Sequence, residues 1–433
     1  MKKTTRIVAL AAATSLLLAA CSSTGDDEPP TTPDADPTTS DEDPGEEPGG
    51  DVEDVTITYS NFISNGGNED NLATIIDAFE ADNPGITVDV TTLPYADYFT
   101  TLQTDISAGT TADVFDIEYA TYPTFQPAGV FAALDGVDTS VYRGDVAEAY
   151  QTDGVSYALP TSFSTVVMFY NEDLFDDAGV DYPTSEWTWS DVEEAANTLT
   201  DEGSGVWGAY QPISYHEYYK VLVQAGGEFL NADGTAVAFN SPEGIDAAQW
   251  LVNKSGTVMP TPEQGAGTPD FDSSLWADGN LAMWYTGIWM FGSAGDFNWD
   301  IAVEPGGVQN ASAVFSNAVA VSATSANQDA AQRFAEYLSA SQTMVDVRLS
   351  SGWELPAISD EAQLAAYLDQ DSPANRQAVF DSLEAIALPP IIGANQAQME
   401  DIIGEQLTEA AAGRLTVEEA LANAEEQINS LLN

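Results

Sequence analysis

Residues Ser156–Phe175 constrain the fold of this chain more than any other stretch. A polar segment, Thr161–Thr165, leads directly into the apolar run Val166–Tyr170, and Asn171 then opens a helix. A continuous apolar run of this length, bounded by turn signals, predicts a strand that is buried on both faces. The polar segment is too short for a domain linker and suits a strand that crosses between two lobes, although short buried strands occur in any α/β protein.

Three strands that alternate with helices begin the folded part of the chain. The predicted strands are Val55–Tyr59, Ile86–Val90 and Asp113–Ile117, and helical periodicity separates them. This alternation favours a parallel sheet, in which ligands bind at the carboxyl ends of the strands. The residues expected at those ends are Ser60, Asn61, Phe62, Tyr95, Glu118 and Tyr119.

Later segments predict further strands and helix starts. Additional strands are expected at Val206–Tyr210, Ala282–Trp289, Trp299–Val303 and Ala318–Val321. Capping boxes predict helix N-termini at Ser190, Ser325 and Thr416, and the Ser241–Pro242 pair predicts another.

The charge of the chain excludes whole classes of partner. Its 433 residues include 70 Asp and Glu but 10 Lys and Arg, which gives a formal net charge of -60. Such a surface repels phosphate backbones and anionic lipid head groups, so no nucleic-acid partner is expected. The sequence has no D-x-[DN]-x-[DN]-G calcium loop, and neither a metal nor a cofactor is expected. We interpret the acidity as adaptation of an exposed surface to salt or to an acidic cell wall.

The N-terminal residues predict export and membrane anchoring. Residues 1–20 combine three basic side chains with an apolar run that is too short to span a bilayer, as in a secretory signal peptide. The run ends in Leu-Ala-Ala before Cys21, the single cysteine, and resembles a bacterial lipobox; a plain signal peptide with a chance cysteine is the alternative. Residues 21–54 then predict a lipidated Cys21 followed by a disordered acidic tether rich in Pro, Thr and Gly.

The order of the segments resembles a known family. The matching phrases are NLATIIDAFEADNPGITVDV, ADVFDIEYATYPTFQPAGVF, YALPTSFSTVVMFYNEDLFDDAGV, WTWSDVEEAANTL, LVQAGGEFL, AMWYTGIWM and FNWDIAVEP. In this order, behind a lipobox, they resemble the extracellular solute-binding proteins (family 1, maltose-binding type) that feed ABC carbohydrate importers. The resemblance covers residues 55–433 almost completely.

The resemblance implies an α/β fold of the two-lobed periplasmic-binding-protein type II. Each lobe is a sheet flanked by helices, and crossing segments join the lobes around a ligand cleft. The implied lobe 1 holds residues of about 55–161 and 305–315, and lobe 2 holds about 165–298 and 322–433. The implied hinge segments are residues of about 162–165, 299–303 and 317–321.

The candidate binding residues follow from the chemistry of sugars. Sugars expose apolar C–H faces and many hydroxyls, so their sites combine flat aromatic side chains with carboxylate and amide acceptors. Trp289 holds the Gly-x-Trp position of the resemblance and is the first candidate for stacking, and Glu118 is the preferred hydroxyl acceptor. The full set is Asn61, Tyr95, Glu118, Tyr119, Ser164, Tyr215, Trp289, Trp353 and Glu354.

Three further residues, Asp116, Trp284 and His216, are not included among these candidates. Asp116 is a rival acceptor that we expect on the opposite face of its strand, and Trp284 is expected in the core. His216, the single histidine, is interpreted as an ordinary member of an aromatic patch that touches ligand at most. Some family members use Arg in the cleft, whereas the corresponding regions here are aromatic, acidic and hydroxylic.

The resemblance predicts a non-enzymatic binding protein. It implies capture of a carbohydrate, in particular a neutral oligosaccharide, and delivery to the transmembrane subunits of an ABC permease. A polyamine or peptide ligand, and a cell-surface glycoside hydrolase, are the alternatives. A monomer is expected on the extracellular face of the cell membrane, anchored through Cys21, as a Gram-positive-type surface lipoprotein rather than a periplasmic protein.

Overall fold

The computed structural model describes residues 54–63, 68–266, 268, 270–370 and 372–432. The predicted signal peptide, Cys21 and nearly all of the predicted tether lie outside these residues. Within the described part of the chain, no helix combines the length and the apolar character that a membrane span needs.

Short and long strands are distributed along the whole described chain. They are β1 (Val55–Asn61), β2 (Ile86–Thr92), β3 (Val114–Glu118), β4 (Gln151–Thr152), β5 (Val155–Ser156), β6 (Ala158–Asn171), β7 (Met283–Gly287), β8 (Trp299–Ala302), β9 (Ser312–Val321), β10 (Leu355–Pro356) and β11 (Ile386–Ala387).

Helices occupy most of the connections. The α-helices are α1 (Glu69–Asp82), α2 (Tyr95–Ala108), α3 (Tyr122–Phe125), α4 (Gly144–Ala147), α5 (Glu172–Ala178), α6 (Trp189–Leu199), α7 (Tyr215–Gln224), α8 (Pro242–Val252), α9 (Pro262–Gly265), α10 (Phe271–Ala277), α11 (Gln328–Ala340), α12 (Gln342–Ser351), α13 (Glu361–Leu368), α14 (Gln377–Asp381), α15 (Gln396–Ala411) and α16 (Val417–Leu431). The 3₁₀ helices are Gln126–Ala128, Thr139–Val141, Glu148–Tyr150, Ile288–Ser293, Ser382–Glu384 and Gly393–Asn395.

The first three strands form the predicted parallel sheet. Strand β1 pairs in parallel with β2 on one side and β3 on the other, which confirms the expectation from the alternating pattern. The sheet continues through antiparallel pairs in the order β10-β6-β9-β3-β1-β2. The carboxyl ends of β1, β2 and β3 therefore lie at one edge.

Strand β6 passes from this sheet into a second one. Residues 158–165 pair with β9, whereas Val166–Tyr170 pair with β7 and Met168–Asn171 pair with β8. Every residue of β6 is buried, which confirms the prediction of a strand covered on both faces. The pairing with β9 shifts between Pro160 and Ser162, at the place where a proline cannot donate to the ladder. A single strand thus connects two sheets, as a two-lobed fold requires.

The packing of the C-terminal part differs from the expected lobe boundaries. Phe334 of α11 packs against Tyr59 of β1 and Phe79 of α1, with ring centroids 5.3 and 5.0 Å apart. Residues 328–351 therefore share a core with the first strands, although the resemblance placed residues 322–433 in lobe 2. Conversely, Ala311 and Ala313 share a core with α7, α8, α15 and α16, although residues 305–315 were expected in lobe 1.

Some local predictions were wrong. Val206–Tyr210 is not a strand, because Trp207 and Tyr210 make only single bridges, to Leu281 and Trp284. Helix α6 is capped by Thr188, with Asp191 completing the capping box, rather than by Ser190. Helix α11 starts after Asn327, so the box predicted at Ser325 was wrong as well. The caps at Ser241 and Thr416 are confirmed.

Candidate functional site

A cavity of about 310 Å³ lies at the carboxyl edge of the parallel strands. Side chains from β1, β3 and the start of α2 face side chains from α7, β7 and the turn after β7 across it. The principal lining residues are Tyr59, Phe62, Tyr95, Asp116, Glu118, Thr161, Ser214, His216, Glu217, Tyr285, Thr286, Trp289, Phe315, Asn317, Arg348, Trp353 and Glu354. We call Phe62, Tyr95, Asp116 and Glu118 the strand-end wall. We call His216, Glu217, Tyr285 and Trp289 the α7 wall.

Tyr95 and Glu118 meet at the strand-end wall because β2 and β3 are both neighbours of β1. The Tyr95 hydroxyl donates to both Glu118 carboxylate oxygens, at 3.0 and 3.2 Å. The Phe62 ring packs edge-on against Tyr95, with centroids 5.5 Å apart. Burial raises the pKa of Glu118 to about 8, and the nearby Glu400 carboxyl adds to the shift. Glu118 is therefore largely protonated at neutral pH.

Asp116 lies on the same wall as Glu118, which corrects the expectation that it faces the opposite side. Residues two apart in a strand point to the same face, so Asp116 and Glu118 must project together from β3. The Tyr59 hydroxyl donates to Asp116 Oδ1 at 2.7 Å. Burial raises the pKa of Asp116 to about 7, against the opposing effect of this hydrogen bond. Asp116 is thus a buried group of the cavity.

Glu354 ties the crossing strands together at the floor of the cavity. Ser162 of β6 donates to Glu354 Oε2 at 2.6 Å, and Asn317 Nδ2 of β9 donates to Oε1 at 2.9 Å. Arg348 Nη1 of α12 lies 3.4 Å from Oε2. The carboxylate therefore links the two strands that run past the cavity to the end of α12.

Arg348 is a buried cation on the cavity wall, which was not expected from the sequence. Its guanidinium carbon lies 3.9 Å from the ring centroid of Trp353 and its side chain is almost fully buried. The stacking and the Glu354 ion pair hold the planar group in place. The conclusion that the cleft regions carry no Arg was wrong, because Arg348 comes from a helix distant in sequence from the strand ends.

The α7 wall rests on a buried ion-pair network. Lys220 Nζ lies 2.8 Å from Glu217 Oε2 and 2.7 Å from Glu304 Oε1, and the lysine is completely buried. Burial lowers the pKa of Lys220, but the two carboxylates outweigh it and hold this pKa above its usual value. Gln211 Nε2 also donates to Glu217 Oε2, at 2.7 Å. Lys220 thereby positions Glu217 at the surface of the cavity.

Trp289 lies on the cavity wall beyond the end of β7. Its ring packs edge-on against Phe315, with centroids 5.4 Å apart and an interplanar angle of 83°. A methyl group at Gly287 would lie 1.8 Å from the Trp289 ring, so the ring can hold this position only while residue 287 has no side chain. The Gly-x-Trp spacing thus has a steric basis.

His216 completes the α7 wall as a neutral side chain. Burial lowers its pKa to about 4, and its ring packs edge-on against Phe315 at 5.5 Å. His216 Nδ1 and the Tyr285 hydroxyl are buried and have no hydrogen-bond partner among the described residues. Both atoms belong to residues that line the cavity. A ligand with many hydroxyls can satisfy them.

The structure brings five of the nine predicted binding residues to the cavity. They are Tyr95, Glu118, Trp289, Trp353 and Glu354. Trp284, expected in the core, is 1% exposed and donates from Nε1 to Asp272 at 3.1 Å.

The other four predicted residues lie near the cavity but not on its wall. Asn61 Oδ1 accepts from the amide of Ile63 at 3.3 Å, and Ser164 is fully buried in β6. Tyr215 donates to the carbonyl of Pro390 at 3.0 Å. Tyr119 lines a second cavity of about 10 Å³, and Glu118, His216 and Phe315 line both cavities. Ligand contact by these four residues stays a prediction.

Sequence reasoning missed several cavity residues. For Asp116 the signal was present, because its spacing of two from Glu118 predicts a shared face. Phe62 was noted as a strand-end residue but not chosen. For Glu217, Tyr285 and Arg348 no local pattern distinguishes a cavity residue from a core residue. Within the part of the chain that the structure describes, no group of three or more His, Cys, Asp or Glu side chains is arranged to hold a metal ion.

Comparisons with known proteins agree with this architecture. The family profile "Bacterial extracellular solute-binding protein" matches residues 65–345. An ABC substrate-binding protein of Listeria monocytogenes, solved in complex with cycloalternan, is 39% identical with a TM-score of 0.82 over 87% of this chain and 98% of that chain. A cyclic alpha-maltosyl-1,6-maltose binding protein of Arthrobacter globiformis is 24% identical with a TM-score of 0.69 over 87% and 99%.

A curated relative from Halalkalibacterium halodurans also matches part of the chain. It is an arabinooligosaccharide-binding protein, 26% identical over 221 residues, which are 46% of this chain and 46% of that protein.

Proposed function

Because the chain belongs to the bacterial extracellular solute-binding proteins, we propose that it captures a neutral oligosaccharide in the cavity described above. The observation that carries this proposal is the cavity wall itself, in which Trp289, Trp353 and Phe62 alternate with the carboxyl groups of Asp116, Glu118, Glu217 and Glu354. Flat apolar rings suit the C–H faces of sugars, and the carboxyl groups suit their hydroxyls. The bound sugar passes to the transmembrane subunits of an ABC importer.

One relative supports a carbohydrate ligand. The Listeria protein, at 39% identity over almost its full length, was solved with cycloalternan. We therefore place cycloalternan first among the ligands to be tested, followed by linear maltooligosaccharides and arabinooligosaccharides.

A polyamine is the second candidate, on the strength of one observation. Among the described residues, neither Asp116 nor Glu118 is in an ion pair, and two such carboxyl groups could receive an ammonium group. Against it, burial favours the neutral form of both groups. Calorimetry with spermidine separates the two candidates.

The defining experiment compares two tryptophan variants by isothermal titration calorimetry. Trp289→Ala is expected to weaken sugar binding by about 2 kcal/mol, or roughly 30-fold, because the stacking platform is lost. Trp187→Ala is the matched control, since Trp187 is also half-buried but does not line the cavity. Equal affinities of the two variants would remove Trp289 from the site, and heat with spermidine alone would favour the polyamine.

Further parts of the proposal concern delivery and location. As an extracellular solute-binding protein the chain works outside the membrane, and we infer that a lipid on Cys21 anchors it there. We infer separately that the protein is a monomer. We also infer that its lobes close around the ligand through β6 and β9. Release of shorter sugars during incubation with oligosaccharides would instead favour a glycoside hydrolase.

A further inference from the structure

The cavity contains two kinds of carboxyl group, and their partners differ in charge. Glu217 is paired with Lys220, and Glu354 is paired with Arg348. Asp116 and Glu118 receive hydrogen bonds from the tyrosine hydroxyls of Tyr59 and Tyr95. Within the described residues, neither of these two acids has a cation at ion-pair distance.

Both unpaired acids are removed from water. Asp116 is 5% exposed and Glu118 is 8% exposed, and they project from the same face of β3 into one cavity. A buried carboxylate without a cation is costly, so such a group keeps its proton instead. A protonated carboxyl can donate one hydrogen bond as well as accept others, whereas a carboxylate can only accept.

We propose that Asp116 and Glu118 meet the carbohydrate as neutral carboxylic acids that donate hydrogen bonds to it, while the ion-paired Glu217 and Glu354 accept from its hydroxyls. This inference rests on the proposed function and adds a rule for the ligand. The ligand must be uncharged and must offer hydroxyl or ring oxygens as acceptors towards β3. It also couples sugar capture to pH, because the donor form is lost when either acid ionises.

Groups on every neighbouring element bear on this coupling. Those that interact with Glu118 are Tyr95 from α2, Glu354 after α12 and Glu400 from α15, with Tyr150 and Tyr219 nearby. Those that interact with Asp116 are Tyr59 from β1, Tyr98 from α2, Arg348 from α12 and Glu354. Arg348 is the one cation in this group, and its nearest carboxylate is Glu354. The neighbouring acids Glu354 and Glu400 favour protonation, whereas the hydrogen bonds from Tyr59 and Tyr95 oppose it.

The direction of the pH effect follows from linkage. Ligand binding favours the protonated acids, so protons are taken up where the free acids are partly ionised, near and above pH 7 for Asp116 and pH 8 for Glu118. Affinity is expected to be highest at and below pH 6 and to fall as pH rises above 7, by up to about tenfold per pH unit for each acid that must regain its proton.

The test is calorimetry with cycloalternan at pH 6 and pH 9, using two buffers of different ionisation enthalpy at each pH. Wild type should bind at least tenfold more weakly at pH 9 and take up protons there. Glu118→Gln, whose amide still donates but cannot ionise, should lose less affinity than wild type between pH 6 and pH 9 and take up fewer protons at pH 9. Equal losses of affinity in Glu118→Gln and wild type would overturn the donor role of Glu118.

The free energy of unfolding, measured without ligand, tests the protonation of Glu118 independently of binding and shows whether the variant is folded. A carboxyl whose pKa rises from 4.5 to about 8 on folding binds its proton more tightly in the folded state. The contribution of Glu118 to the free energy of unfolding is therefore complete below about pH 4.5 and is lost as pH rises to about 8, so Glu118→Gln should make stability fall less over this range than in wild type. An unchanged slope would contradict the neutral form of Glu118.

The outcomes separate this inference from the proposed function. Binding that does not depend on pH would overturn the donor role alone. Absence of any carbohydrate binding at pH 6 would overturn the proposed function and the donor role together.

Discussion

Gly287 shows how one missing side chain shapes the site. Its φ of -89° is open to any residue, so the backbone does not require glycine here. The requirement comes from the Trp289 ring, which occupies the space where a Cβ would stand, at 1.8 Å. Glycine at this position therefore sets the orientation of the proposed stacking platform.

The substitution Gly287→Ala is expected to displace the Trp289 ring and to weaken sugar binding by about tenfold or more, approaching the effect of Trp289→Ala. Gly292→Ala is the matched control, because Gly292 lies in the same turn and a Cβ there meets no atom within 4 Å. Calorimetry together with tryptophan fluorescence measures both effects. Full affinity in Gly287→Ala would show that the ring position is not important for binding.

Helix α7 contributes through the charges that it buries. Lys220 neutralises two carboxylates that come from its own helix and from the segment after β8. The network fixes Glu217 on the cavity side while Glu304 stays 1% exposed. The helix therefore needs the lysine for the integrity of the fold and of the α7 wall at once.

The substitution Lys220→Met should destabilise the fold by about 3–5 kcal/mol at neutral pH, because two buried carboxylates lose their cation. The loss should shrink in acid, where Glu304, whose pKa is raised to about 7 by burial, takes up a proton. Lys254→Met is the control, since Lys254 is also buried but donates to the Trp250 carbonyl at 2.7 Å rather than to a carboxylate. Urea unfolding at two pH values measures both variants, and equal losses would contradict the role of the network.

Positive charge in the described part of the chain is concentrated in its interior. Of the seven basic residues in that part, Lys220, Lys254, Arg348 and Arg376 are buried. The other three are not buried: Arg143 is half-buried, whereas Arg333 and Arg414 are exposed. Arg414 pairs with Glu409 at 2.6 Å. The surface of the described part is consequently more acidic than its composition indicates, which strengthens the argument against nucleic-acid partners.

Closure of the two lobes is the prediction that belongs to the whole molecule. Strands β6 and β9 run past the cavity, so contact between ligand and Thr161 or Asn317 can shift the balance between open and closed forms. Small-angle scattering should show a smaller radius of gyration at saturating sugar. Trp289→Ala at the same sugar concentration is the control with less ligand bound. An unchanged radius in the saturated wild type would rule out hinge closure.

The sequence by itself determined the order of the elements, the parallel strands, the buried strand β6 and five residues of the cavity wall. Periodicity, turn residues and segment order are local properties, so they survive without knowledge of the fold. Only the tertiary structure decided that residues 328–351 pack with β1, that Arg348 stacks on Trp353 and that Lys220 sits between two carboxylates. It also decided which acids have cations as partners. Ser162 and Glu354 are 192 positions apart, and Lys220 and Glu304 are 84 apart. Burial and charge pairing depend on such distant neighbours, and the chemistry of this cavity depends on both.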